Sequence, residues 1–179
     1  MYHSLVDIPF RAAQDYPDRI SHQFLNGKTT ETRTFRDFAR LIEVLTAGFK
    51  TYGIERRDHV GFFMNNRFEW IATDFALMAL GAVSVPRGSD TTPREVQFIY
   101  HHSDSVYLIL ETQSQLLELL PVFSLEDWEQ CRKIFILETG DSKAPDNLVE
   151  KIVTFESLYQ AGESYLKQEP DLITNLSQR

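Results

Sequence analysis

Residues 82–110, AVSVPRGSDTTPREVQFIYHHSDSVYLIL, hold the unit that decides the fold. An apolar run, Ala82 to Pro86, is followed by a polar turn. Thr92-Pro93-Arg94-Glu95 then combines an N-cap, a proline at the first helical position and a glutamate placed to return a hydrogen bond to the cap. A helix and a polar break lead to a second apolar run, Val106 to Leu110. Strand, capped helix, strand is a βαβ unit. A helical crossover makes its two strands parallel and its connection right-handed.

The same unit recurs on both sides. Upstream, Val60 to Met64 reads as a strand, and Asn66 with Glu69 reads as the cap pair of a helix through Leu80. Downstream, a helical stretch from Ser114 to Gln130 is broken at Pro121 and restarted by Ser124 with Asp127, and Lys133 to Leu137 forms the next strand. Nearer the start, Thr34 with Asp37 caps an amphipathic helix in which Phe38, Leu41, Ile42, Leu45 and Phe49 recur at helical spacing until Gly53. Before it, His22 to Leu25 and Lys28 to Thr34 flank Asn26-Gly27, the dipeptide suited to a type I′ turn. After Leu137 come a polar loop from Glu138 to Asn147, a strand-like Lys151 to Thr154, a helix near Phe155 to Lys167 and a polar tail from Glu169 to Arg179. The expected fold class is α/β: a mainly parallel sheet with flanking helices, and an N-terminal β-hairpin beside or beyond its edge.

Composition narrows the function classes. With 179 residues, 42% of them hydrophobic, the chain has material for one packed core, so one domain or a large part of one is expected. The 26 acidic residues outnumber the 18 basic ones, and no basic run exceeds Arg56-Arg57, so a nucleic-acid backbone would be repelled. The longest near-apolar stretch, Trp70 to Pro86, contains Asp74 and Gly81 and falls short of the roughly 20 residues a bilayer span needs. The N-terminus lacks a signal-peptide pattern and the single Cys131 cannot form an internal disulfide, which together point to a soluble protein of a reducing, cytoplasmic compartment.

Residues that carry chemistry are sparse. The eight glycines are dispersed, and although Gly48 and Gly53 have the first spacing of a P-loop, Ile54-Glu55 stand where Lys-Ser/Thr is required. His101-His102 with Asp104 is the densest set of metal-ligand types, but adjacent histidines point about 100° apart on a helix, and histidines at a helix C-terminus have an ordinary role there. His3, His22 and His59 are isolated. Cys131, with no activating neighbour evident, reads as a small half-buried residue after a helix. Trp70, Phe75 and Met78 read as core, as does the leucine-rich Leu116 to Trp128, whose acidic flanks do not suit anionic lipid. No catalytic residue and no metal site emerges.

The ordered set from Thr34 to Glu111 resembles the N-terminal region of the adenylate-forming superfamily of AMP-dependent synthetases and ligases. The resemblance is carried by Thr34-Phe35, Tyr52-Gly53-Ile54, Arg57-Asp58, Val60 to Met64, Asn66, Glu69-Trp70, Gly81-Ala82, Val85-Pro86, Pro93 to Glu95 and Ser103. Thr154-Phe155-Glu156-Ser157-Leu158 to Gly162 is similar to the short helix that precedes the family's phosphate loop. Within the superfamily the long-chain fatty acyl-CoA ligases look most similar.

That resemblance implies a two-step reaction for the whole enzyme: a fatty carboxylate is adenylated by ATP with Mg²⁺, and CoA then takes the acyl group as a thioester. It also implies that the phosphate loop, the Tyr-Gly-x-Thr-Glu segment, the ribose-holding Asp and the C-terminal domain with its catalytic Lys are absent from these 179 residues. The chain is then expected to be the N-terminal part of an AMP-binding domain, inactive alone and holding none of these cofactors firmly. Its expected partner is the rest of the ligase chain, with self-association through uncovered apolar surface and, for the whole enzyme, a peripheral membrane position. One segment is given a ligand role, Val85 to Ser89, where Arg87 would pair with a CoA phosphate and Gly88 would allow close approach; the alternative is an exposed Arg in an ordinary βα loop. Two further readings stay open: a non-catalytic binding or regulatory module of the same superfamily, and an unrelated flavodoxin-like domain, against which strand order is the expected discriminator.

Overall fold

Alternation of side chains along the apolar runs puts two buried faces on one sheet. The structure, a computed structural model, describes residues 4–140 and 144–177. Its main sheet has five strands, β3 (His59–Phe63), β4 (Val83–Arg87), β5 (Tyr107–Thr112), β6 (Lys133–Glu138) and β7 (Ile152–Thr154), in the order β4-β3-β5-β6-β7. Every pairing is parallel, with Val60 beside Ser84 and Tyr107, and Ile134 beside Leu108 and Ile152. On one face Val60, Phe62, Tyr107, Ile109, Phe135 and Val153 meet the helices α2 (Phe35–Thr51), α3 (Phe68–Leu80) and α7 (Phe155–Gln168). On the other, Phe63, Leu108, Leu110, Ile134 and Ile136 meet α4 (Pro93–His102), α5 (Gln113–Leu119) and α6 (Leu125–Gln130). The period of two along each strand is what feeds both layers.

The caps read from the sequence largely form. Thr34 accepts from the Asp37 N–H while the Asp37 carboxylate accepts from the Thr34 N–H, and the same reciprocal box closes at Thr92 with Glu95 and at Ser124 with Asp127. These bonds hold the Asp37 and Glu95 carboxyls below their usual range. Asn66 is not a cap. The N-cap of α3 is Arg67, which makes no side-chain cap bond. An unread box, Thr112 with Gln115, starts α5.

Two helices lie outside the periodic pattern. α1 (Asp7–Asp15) buries Pro9 and packs Phe10 on the core, and α8 (Leu172–Ser177) buries Leu172 against Val44, Ala47 and Leu166. The hairpin is a separate antiparallel sheet of β1 (Ile20–Asn26) and β2 (Thr29–Thr34), not an edge of the main one. Asn26 pairs with Thr29, so its turn is centred on Gly27 and Lys28, one residue later than the Asn-Gly reading, with Gly27 at φ +60°.

The tightest helix contact joins α2 to α7. A Cβ on Gly162 would stand 2.1 Å from the Val44 carbonyl oxygen, and one on Gly48 would stand 2.5 Å from that of Leu158. Backbones approach there because neither helix has a side chain at the crossing, although glycine inside a helix costs about 1 kcal/mol relative to alanine. The Gly48 position inside α2 also disposes of any phosphate-loop role. Gly162→Ala is expected to lower stability by about 1–3 kcal/mol in urea unfolding despite the better helix propensity of alanine, because the helices must separate. An unchanged midpoint would mean the crossing is loose.

Candidate functional site

In an open parallel sheet the ligand crevice lies beyond the strand C-termini, where adjacent strands send their connections in opposite directions. Here that point falls between β3, which continues through α3 to β4, and β5, which continues through α5 and α6 to β6. In chain order the parallel strands run 2-1-3-4-5, the flavodoxin-like order, so strand order alone does not exclude the rival reading.

Charged side chains meet across this point. Arg67, at the end of the β3 turn, donates through Nε to Glu69 at 2.9 Å and through Nη1 to Glu111 at 3.2 Å and Glu138 at 2.6 Å. The other Glu111 oxygen accepts the Asn65 backbone N–H at 2.9 Å. One guanidinium thus ties the ends of β3, β5 and β6. Burial opposes its charge, but the hydrogen bonds to Glu138, Glu69 and Glu111 outweigh that and push its pKa up. Three carboxylates around one cation leave the crest with negative excess.

That charge balance tests the groups the resemblance implies. A polyphosphate needs converging N–H donors and cations, and the crest offers acceptors. A divalent cation needs several free carboxylate or imidazole ligands, and no group of three or more His, Cys, Asp or Glu among the described residues is arranged for one. The Arg67 cluster is therefore not a phosphate cradle.

The remaining sequence candidates fall in place as follows. Arg87 ends β4 at the same crest, exposed and without an ion pair among the described residues; its Nη1 donates to the Pro86 carbonyl at 2.7 Å. Gly88 follows it, and a Cβ there would stand 2.4 Å from Asp90 Oδ1. Arg87 borders a hollow of about 410 Å³ with Asp90, Thr91, Glu95, Phe98 and Ile99. His101 pairs with Asp127 at 3.1 Å, while His102 stacks on Phe98, so the two imidazoles do not converge. His22, which looked isolated, packs its ring against Phe38 and Phe68, and burial lowers its pKa. His3 lies outside the described residues. Cys131 is fully rather than half buried, and burial pushes its thiol up to about 12. The Arg67 cluster escaped sequence reading, since its partners lie 2, 44 and 71 residues away. Two glutamates at strand ends, and an arginine and a glutamate at a helix start, were its only linear trace.

The AMP-binding enzyme family profile matches residues 9–171. The chain belongs to the AMP-binding enzyme family. Among curated proteins it is 32% identical over 106 residues to the long-chain-fatty-acid–CoA ligase FadD15 of Mycobacterium tuberculosis, which covers 59% of this chain and 18% of that protein. It is 28% identical over 141 residues to a probable chloroplastic acyl-activating enzyme 16 of Arabidopsis thaliana, covering 79% and 19%. The chain thus spans about a fifth of the length of these relatives. Among solved structures it superposes on coronafacic acid ligase from Pectobacterium brasiliense with a TM-score of 0.69 at 23% identity, over 87% of this chain and 29% of that one. That likeness shows the fold. Membership in this AMP-binding family, together with the hairpin and α1, separates the chain from an unrelated flavodoxin-like domain where strand order does not. No described helix is long and apolar enough to cross a membrane.

Two outcomes check the site. Arg67→Met is expected to destabilise the fold by about 1–3 kcal/mol, because three carboxylates then face one another without a cation; a neutral effect in denaturant titration would deny the clasp. Cys131 is expected to resist a thiol reagent at pH 8 in the folded chain and to react once unfolded. Because burial raises the folded pKa above the ordinary thiol value of about 9, the unfolded state loses its proton first, and stability from this group falls as pH rises from about 9 towards 12.

Proposed function

We propose that this chain is the N-terminal α/β portion of an AMP-binding domain from an ATP-dependent long-chain fatty acid–CoA ligase, and that it has no turnover by itself. The observation that carries the reading is the 32% identity to FadD15 inside a family match that spans most of the chain. Adenylating a carboxylate needs donors and a cation around a triphosphate. The central guanidinium of the crest is already committed to Glu69, Glu111 and Glu138. In this reading the chain contributes the layer on which the rest of the ligase is built, and the rest of the ligase is its natural partner. The same crest supports a second reading, a non-catalytic binding or regulatory module of the family in which the clasp has replaced ligand.

Arg87 and Gly88 are the residues proposed to face CoA in the complete enzyme. Arg87 is exposed at a strand C-terminus and not paired with an acid among the described residues, which leaves its charge available to a phosphate. Asp90 and Glu95 on the same hollow oppose an anion and set a limit on its affinity.

Carboxylate-dependent exchange of labelled pyrophosphate into ATP, with Mg²⁺ and short to long fatty acids, is expected to stay at the protein-free control. Loss of even one donor to a developing oxyanion typically costs about 10²-fold or more. Exchange that survives repurification would show an intact catalyst. In a complete ligase containing this segment, Arg87→Ala is expected to raise the KM for CoA about tenfold and leave that for ATP alone; equal CoA constants would remove the role.

A further inference from the structure

A cavity of about 680 Å³ lies at the other end of the sheet from the crest, where the loop from Gly53 to Arg56 leads into β3 and Gly81 leads into β4. That volume is within the range of about 300–1,000 Å³ usual for small-molecule sites. Apolar side chains line it from three elements: Val6 at the start of α1, Met78 and Leu80 of α3, and Ile173 and Leu176 of α8. Four charged residues line it as well, Asp7, Lys50, Glu55 and Arg56.

Two helices end here, so their last carbonyls are the first polar groups to account for. The Gly48, Phe49 and Lys50 carbonyls accept from Tyr52, Ile54 and Gly53, and those of Leu77, Met78 and Gly81 accept from Ala82, Gly81 and Arg57. The acids are engaged too. Asp7 accepts the Ser4 N–H at 3.3 Å and has a further interaction, while the Glu55 carboxylate lies near enough to the Tyr107 hydroxyl to oppose its ionisation. What remains is cationic. Lys50, half-buried, and Arg56, whose stem lies against Gly81, make no hydrogen bond or ion pair with the described residues.

A lysine in the last turn of a helix is ordinary, since it meets the negative end of the dipole. A second free cation beside an apolar wall is not explained by one helix end. We propose that this cavity binds a single-chain amphiphile with a phosphate head, the alkyl chain lying against Met78, Leu80, Ile173 and Leu176 and the phosphate on Lys50 and Arg56. A phosphate monoester carries a charge of about −1.5 to −2 near neutral pH, which two cations balance and a single carboxylate head would not. The guanidinium fork and the ammonium supply charge-assisted hydrogen bonds to its oxygens. No ligase chemistry enters, because the cavity and the crest lie at opposite ends of the sheet. Free alkyl phosphates and lysophosphatidate share the head and chain that the cavity would recognise.

Methyl NMR spectra of the chain's methionines, titrated with dodecyl phosphate below its micellar concentration, test it, since Met78 lines the cavity and Met64 is buried in the core. The Met78 signal is expected to shift saturably while that of Met64 stays. Lys50→Gln and Arg56→Gln are each expected to weaken binding about tenfold with unchanged circular dichroism. Dodecanol, which has the chain without the phosphate, is expected to bind at least about tenfold more weakly. Vesicles containing lysophosphatidate separate the two sources: a Met78 shift with vesicles as well as with the soluble ester assigns a membrane lipid, and a shift with the soluble ester alone assigns a free one. A Met78 signal that does not move overturns the proposal. Binding indifferent to both substitutions, or equal for dodecanol, overturns it as well.

Discussion

The contact between Gly48 and Gly162 sets how deeply the chain can be folded together. It joins the first long helix to the last one across more than a hundred residues, with backbone against backbone. Because α2 and α7 share that crossing, both can lie on the same face of the sheet, where Phe49 meets Phe135 edge to face at 5.0 Å and Leu158 is fully buried. A larger residue at either position would lift one helix off the other and uncover that face. The intrinsic cost of two glycines in helix interiors is offset by the close packing they permit.

The opposite constraint acts at the strand C-termini. Those ends would collect ligand in an open α/β sheet, yet here they collect Arg67 and its three carboxylates. The arrangement stabilises the turn after β3 and fixes β5 and β6 relative to it. It also leaves the Arg67 guanidinium committed to carboxylates. Packing and chemistry are thus separated in this layer: the faces of the central strands are saturated with apolar contacts, and the crest is internally neutralised in part.

Much of the fold was legible. Runs such as Val106 to Leu110 and Lys133 to Leu137 became strands within two residues of their expected ends, since a strand buried on both faces must be apolar throughout. Helix starts were legible where a cap needs only its own neighbours, as at Thr34, Thr92 and Ser124. They were not legible at α3, where Arg67 occupies the N-cap with its side chain turned away to acids on other strands. α8 was missed because six residues carry too little periodicity, and Leu172 is held by Val44 and Ala47, which are distant in sequence. The hairpin was legible but its turn was displaced by one residue, a choice that cross-strand register makes and a dipeptide preference does not.

The sequence by itself determined the α/β class, the parallel strands and the family resemblance, because each depends on local period, capping pairs or residue type. Only the tertiary structure decided that Arg67 ties the strand ends together, that Cys131 is sealed and that Gly48 and Gly162 approach backbone to backbone. Each of these depends on which distant residues become neighbours. That information lies in the packing of helices on the sheet, and linear spacing does not carry it.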